Sequence, residues 1–434
     1  MKTILTTCLI YLSFIHQVNA QDLVETYQLA LKNDHILKQA YFQKLSVSEN
    51  KSQSIAQMLP TISASANSSR DRIKNKKANF QSAGEQYYWS NRFSINFSQP
   101  VFHWDHWIQL SQSDNRIAQA EAEYQSELQN LIVKTTEAYF NVLSQQDNLE
   151  FTIAEKKAIE GQLDQVKQRF DVGLIAVTDV HEAQAGFDQA KANMIDAENQ
   201  LDDSKEALRE IIGENEVNLL GLGNKVEYSP PVPNDITEWL QIAETNNLNI
   251  LAAFNGAEVS RKKVSIQQSG HIPTLDIVAD YQVADVTSSF GQRGDTQSVG
   301  LQLNFPLFQG GLISSRSKQA HFDYQVAKEN FLSTKRQVKR QLRNAFRDVI
   351  SSLSHVKALE SSVTSSESAL EANKAGFDAG TRTMVDVLAE QRNLYRAKRD
   401  YSRSRYDYLI NGIKLKHAAS SLTEKDLHLI NQYL

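Results

Sequence analysis

The densest cluster of chemically able side chains in this sequence is His103-Trp104-Asp105-His106-Trp107. Two imidazoles and a carboxylate so close together form a donor set that a transition-metal ion accepts. The stretch has a second reading. It follows Pro100, which marks the end of a strand-like segment, and paired tryptophans there suit an aromatic belt at a membrane–water interface. This second reading fits the setting better. Arg70, Arg72, Lys74, Lys76 and Lys77 form a basic run in a predicted hairpin loop. It reads as solvated, with contact to anionic lipopolysaccharide as the alternative. Asp386 heads a predicted helix, where a solvated carboxylate is favoured by the helix dipole. No nucleophile–base constellation, phosphate-binding loop or zinc motif occurs, so an enzyme is not expected, nor any cofactor or resident metal.

Composition narrows what can carry these residues. The chain has only 17 glycines and 7 prolines in 434 residues. An interior proline costs a helix about 3 kcal/mol, so long uninterrupted helices are expected. A net charge of -5 gives no reason for a nucleic-acid partner. Residues 1–20 have the layout of a signal peptide: Lys2, an apolar stretch from Ile4 to Ile15, and the small-residue cleavage site Val18-Asn19-Ala20. The apolar stretch is too short to cross a bilayer core of about 30 Å as a helix. Cys8, the only cysteine, lies inside it, so neither a disulfide nor a lipidated cysteine is expected in the mature chain. Past residue 20 no run of 18 apolar residues occurs. A membrane crossing would have to be made by strands.

The sequence repeats itself. Residues 22–31, DLVETYQLAL, are echoed by 235–244, DITEWLQIAE; Pro60 by Pro273; Pro100 by Pro306; and Phe170-Asp171-Val172-Gly173 by Phe377-Asp378-Ala379-Gly380. The offset is 213 residues before the paired prolines and 206–207 after them, which places the length change in loops between them. Self-similarity at a fixed period signals duplication of a structural unit. Proline cannot continue a helix or donate to a ladder, so these prolines mark changes of element. Pro230, Pro231 and Pro233 mark a linker between the halves.

Two long tracts carry apolar residues at alternating steps of four and three. One runs through Leu131, Val142, Ile159, Leu163 and Val166, the other through Val338, Leu342, Val349, Val356 and Leu370. That period specifies left-handed supercoiled packing. Small and polar residues such as Gln145, Lys156, Lys335 and Asn373 interrupt the seams, which suits helices with neighbours on both sides; an ordinary antiparallel coiled coil is the alternative. Between the prolines the apolar period falls to two. Tyr87, Trp89, Phe93, Ile95 and Phe97 form one face, Leu275, Ile277, Ala279, Tyr281 and Val283 another, and Val299, Leu301 and Leu303 a third, with a weaker set at Ile62, Ala64 and Ala66. Four such strands cannot close a barrel in lipid, because their edges would leave backbone groups unpaired. Three chains would give twelve, an even number that does close.

The stretches FDVGLIAVTDVHEAQAGFDQA and GFDAGTRTMVDVLAEQRNLYRAKRDYSRSRYDYLINGIKLKHAASSLTEKDLHLINQYL resemble the TolC family of outer-membrane efflux proteins, and the likeness runs over residues 22–434. The resemblance implies an α+β membrane protein: a trimeric 12-stranded outer-membrane β-barrel, four strands per chain, continued by a long periplasmic α-helical barrel, from two tandem structural repeats. The chain divides into a signal peptide (1–20), repeat 1 (21–213), a Pro-rich equatorial linker (214–234), repeat 2 (235–419) and a C-terminal equatorial segment (420–434). Hairpins are expected at about 61–102 and 274–308, and long helices at about 104–170, 178–213, 311–377 and 382–418. The expected partners are two further copies, outer-membrane lipid, a periplasmic adaptor protein and an inner-membrane transporter, with drugs, amphiphiles or proteins as cargo in a Gram-negative outer membrane. A non-channel periplasmic adaptor or scaffold is the rival class.

The resemblance also implies a gate at the periplasmic tip. The matching positions are Thr178 and Asp179 in repeat 1, and Phe377, Arg382 and Asp386 in repeat 2. Arg382 is expected to bond Thr178 or Asp179 of a neighbouring chain, and Asp386 to form a ring of three carboxylates favouring cations. The family's tyrosine at the Phe377 position donates a hydroxyl bond to the aspartate; phenylalanine has none to give. Its second acidic ring falls where Ala389 stands, with Glu390 about 100° further round the helix. Val172, Gly173, Leu174, Ala379, Gly380 and Thr381 are the expected adaptor-contact tips.

Overall fold

The computed structural model describes residues 20–75, 84–223, 226–287 and 291–434. The proposed leader lies outside them except for Ala20, as do Lys76 and Lys77 of the basic run. The described residues form two compact units, one drawn from 20–37, 127–245 and 340–434, the other from 38–126 and 246–339.

Each half opens with a pair of helices: α1 (Leu23–Asn33) and α2 (His35–Ala56), then α5 (Ile236–Asn246) and α6 (Leu248–Gln268). One helix per half is the simpler expectation; two are found because a capping residue interrupts each. Asp34 accepts from the Leu37 amide at 2.7 Å, and Asn247 accepts from the Asn249 and Ile250 amides at 3.1 Å. These breaks fall at equivalent points of the duplication, and a side chain that satisfies the first amides of the next helix makes a stable restart.

The second unit holds the sheet. Strands β1 (Thr61–Asn75), β2 (Gly84–Phe102), β3 (Thr274–Val286) and β4 (Arg293–Asn304) lie antiparallel in the order β1-β2-β3-β4. The register sorts the two-residue alternation onto common faces. Ile62 pairs with Phe97, Phe97 with Ala279 and Ala279 with Val299, one apolar row across all four strands. Offset by one, Ser63, Asn96, Asp280 and Ser298 form a polar row on the other face, where the Ser298 hydroxyl donates to Asp280. The apolar side is uncovered within the chain, with Val299 81% exposed. Both edges, β1 and β4, lack a partner strand among the described residues. β2 does not stop at Pro100, as a proline-ended strand would; it continues to Phe102 through a register shift between Pro100 and Phe102. A bulge is where a residue without an amide hydrogen fits a ladder.

Four long helices follow the strands: α3 (Trp104–Asp171), α4 (Val177–Ile212), α7 (Leu312–Asp378) and α8 (Met384–Ala418); a short α9 (Glu424–Asn431) closes the chain. Among the described residues no helix is long and apolar enough to cross a membrane. Many apolar heptad positions are buried, including Leu131, Val142 and Leu163 on α3 and Val349, Val356 and Leu370 on α7. In the first unit Ile159, Leu163 and Val166 of α3 pack with Ala183 and Ala190 of α4 and with Met384 and Leu388 of α8. Small residues on α4 permit this approach; a Cβ on Gly186 would meet Leu388 Cδ1 at 3.4 Å. Polar bonds tie α3 to α8 as well. Glu155, only 3% exposed, pairs with Arg399 at 3.0 Å, and the Tyr406 hydroxyl donates to Asp147 at 2.7 Å. That hydroxyl resists ionisation, chiefly because it is buried and then because Asp147 is beside it.

Candidate functional site

The expected gate residues lie in or beside the two helix–helix turns of the first unit: Thr178 and Asp179 in the first turn of α4, Phe377 near the end of α7, Arg382 between α7 and α8, and Asp386 in the first turn of α8. In the first, Gly173 takes φ of +74° and its amide bonds the Phe170 carbonyl at 2.8 Å, while the Leu174 amide bonds that of Arg169 at 2.9 Å. In the second, Gly380 takes the same +74°, its amide bonds the Phe377 carbonyl at 3.0 Å, and the Thr381 amide bonds that of Gly376 at 2.8 Å. A left-handed residue that closes the last carbonyls of a helix is glycine's usual task. The tips differ from there on. α8 starts on a full capping box: the Asp386 amide donates to Thr383 Oγ1 at 3.3 Å, and the Thr383 amide and hydroxyl donate to Asp386 Oδ2 at 3.0 and 2.9 Å. α4 starts on Ala176, which has no side chain to cap with.

The two aspartates are thus equivalent in sequence and different in chemistry. The backbone and hydroxyl bonds from Thr383, and more weakly the Arg382 charge, hold the Asp386 carboxyl below its usual range. Its stabilising effect is therefore complete above the ordinary carboxylate pKa and is lost as pH falls through the depressed value. Thr383→Ala is expected to speed amide exchange in the first turn of α8 roughly five-fold, as one lost cap should. That difference should shrink in acid, and hydrogen exchange across a pH series measures it. Asp179 sits in the first turn of α4, and its carboxylate has no hydrogen-bond or ion-pair partner among the described residues. The same holds for the hydroxyl of Thr178 and the guanidinium of Arg382. The Arg382 side chain lies instead across Gly376, where an added Cβ would meet its Cγ at 2.7 Å.

Phe377 packs against both apolar clusters at this end of the helices, one around Leu163 and Met384 and the other around Leu370 and Val387. The Arg169 guanidinium stands 5.2 Å from its ring centre and also pairs with Asp378 at 2.7 Å. The resemblance does not anticipate this contact between tips, although the sequence carries a signal for it. Between the repeats, Arg169 corresponds to Gly376, and Ile175 to Arg382. Each tip carries one arginine, on opposite sides of its turn. The expected adaptor-contact residues Val172, Gly173, Leu174, Ala379, Gly380 and Thr381 are all exposed, Val172 at 70% and Leu174 at 73%.

The histidine cluster lies in the second unit, at the start of α3. His103 Nε2 is 3.1 and 3.2 Å from the two Asp276 carboxylate oxygens, and the His103 and His106 rings stack with centres 4.5 Å apart and planes 17° apart. Asp105 oxygens lie 3.9 Å from His103 Nδ1 and 3.8 Å from His106 Nε2. Imidazole lone pairs lie in the ring plane, so near-parallel rings do not aim at one point, and a metal would need a ring turned out of the stack. Trp104 and Trp107 on either side are exposed.

The profile of the outer membrane efflux protein family matches residues 26–214 and 239–420. Outer membrane protein TolC of Vibrio cholerae serotype O1 is 36% identical over 419 residues, covering 95% of this chain and 93% of the relative. Proteases secretion protein PrtF of Dickeya chrysanthemi is 25% identical, covering 98% and 94%. Among solved structures, the CmeC outer membrane channel of Campylobacter jejuni superposes with a TM-score of 0.80 at 17% identity, over 95% of this chain and 89% of that one. Two repeats, four strands, long helices and relatives of this closeness place the chain in the outer membrane efflux protein family, in its TolC branch.

Proposed function

We propose that three copies assemble into a passive outer-membrane exit duct whose periplasmic end is a helical gate. The observation that carries this is the sheet: four antiparallel strands with one exposed apolar face, one polar face and two edges that pair with no strand among the described residues. Lipid covers the apolar face and water the polar one, and the edges are satisfied when β4 of one copy pairs with β1 of the next, giving twelve strands in a closed ring. The long helices of the three copies form a second, periplasmic barrel. At its tips Arg382 bonds Asp179 or Thr178 of the neighbouring copy, since these complementary groups have no hydrogen-bond or ion-pair partner among the described residues, and such charge-assisted bonds are among the stronger ones. Asp386 forms a ring of three carboxylates that favours cations. The exposed Val172 and Leu174 suit contact with a periplasmic adaptor, which couples the duct to an inner-membrane transporter.

The named relatives bear on cargo. A TolC and a proteases secretion protein both align over nearly the whole chain, so the duct serves efflux, type I secretion or both, the pump choosing the cargo. Protein extracted from outer membranes is expected to run as a heat-resistant trimer and to form discrete cation-selective channels in planar bilayers. A soluble periplasmic monomer without channels would end this reading in favour of a coiled-coil scaffold. Loss of drug tolerance, of secreted proteins, or of both in a deletion strain then assigns the cargo.

A further inference from the structure

The first turn carries an arginine that the gate reading leaves unused. Arg169 is the third residue from the end of α3, and within the same chain its guanidinium meets Asp378, the last residue of α7, at 2.7 Å. It also lies over the Phe377 ring. A cation over an aromatic face and against a carboxylate is held from two sides. The carboxylate belongs to one helix pair and the arginine to the other, so the contact spans the two tips. The pair is partly solvated, Arg169 37% and Asp378 65% exposed, so it can break when the tips separate.

We propose that Arg169, Asp378 and Phe377 form a clasp within each protomer that ties the first tip to the second and holds the closed entrance shut. The proposal rests on the gate reading above. Phenylalanine cannot give the hydroxyl bond that a tyrosine would give at position 377; the ring serves instead as the seat for an arginine whose charge is anchored by Asp378. The repeats support a specific role. Repeat 2 has Gly376 where repeat 1 has Arg169, and Arg382 folds over that glycine. The two arginines therefore do different work: Arg169 faces the other tip of its own chain, and Arg382 is left available to a neighbour.

The test is single-channel conductance of the full-length trimer in planar bilayers, with heat-resistant trimer as the control for folding. Arg169→Ala and Asp378→Asn are each expected to raise closed-state conductance severalfold. The double variant should rise no further than the singles, because both remove one contact. The reversed pair, Arg169→Asp with Asp378→Arg, should return conductance toward the parent value, which a merely structural role of either residue does not predict. At molar salt the difference from the parent should shrink, since an exposed pair is screened. If both single variants conduct like the parent while Arg382→Ala opens the channel, the clasp is overturned and the gate stands. If Arg382→Ala is silent as well, the gate reading fails with it. Singles that open additively, or a reversed pair that stays open, also overturn the clasp.

Discussion

Val299→Arg is expected to abolish heat-resistant trimers in the outer membrane, whereas Ser298→Arg, one residue away, should leave them in place. Val299 lies near the middle of β4 on the apolar row with Ala279, Phe97 and Ile62. An arginine on the lipid face of a barrel costs about 2–4 kcal/mol near the bilayer midplane. Three copies would cost roughly 6–12 kcal/mol, comparable to the whole stability of an ordinary domain at about 5–15 kcal/mol. Ser298 is on the opposite face beside Asp280, so an arginine there meets water and a carboxylate. Heat-modifiability on gels of outer-membrane fractions measures the outcome. Normal trimers from Val299→Arg would remove the lipid-facing assignment of this row, and loss of trimers from both variants would show that β4 tolerates no bulk on either face.

That face assignment is legible in the amino-acid sequence, because the two-residue period at Phe93, Ile95 and Phe97 and at Val299, Leu301 and Leu303 is a property of residue order alone. Register is not legible there. Nothing local says that Phe97 stands opposite Ile62 and Ala279; that follows from where the turns and the Pro100 bulge fall. The helix breaks at Asp34 and Asn247 escape sequence reasoning for a related cause. A capping aspartate or asparagine inside a helical pattern looks like a polar surface position until its side chain is seen on the following amides. The long helices are easier, since their seams repeat over many turns. At the tips the residue types are readable from the resemblance, but their commitments are not. Among the described residues the Thr178 hydroxyl, the Asp179 carboxylate and the Arg382 guanidinium have no hydrogen-bond or ion-pair partner, Asp386 is engaged by Thr383, and Arg169 is engaged by Asp378.

These commitments set the expectation for the gate. Arg382→Ala and Asp179→Ala should each raise closed-state conductance severalfold, and the double variant should match the larger single effect, because both would remove the same proposed bond between neighbouring copies. Charge-assisted hydrogen bonds contribute about 1.5–3 kcal/mol when shielded, less where solvent reaches them. In the proposed threefold trimer three would be lost at once, so even a modest bond would shift the open fraction strongly. Gly376→Ala is a subtler version. The added methyl collides with Arg382 Cγ and displaces the guanidinium without removing it, so a partial opening is expected. Asp386→Asn would remove the charge of the proposed carboxylate ring while keeping an acceptor for Thr383, and should lower cation selectivity with little change in conductance. Reversal potentials in a salt gradient separate the two effects. Unchanged conductance in both Arg382→Ala and Asp179→Ala would sink the bond between neighbours. A fall in selectivity from Asp386→Asn would still place that carboxylate in the ion path.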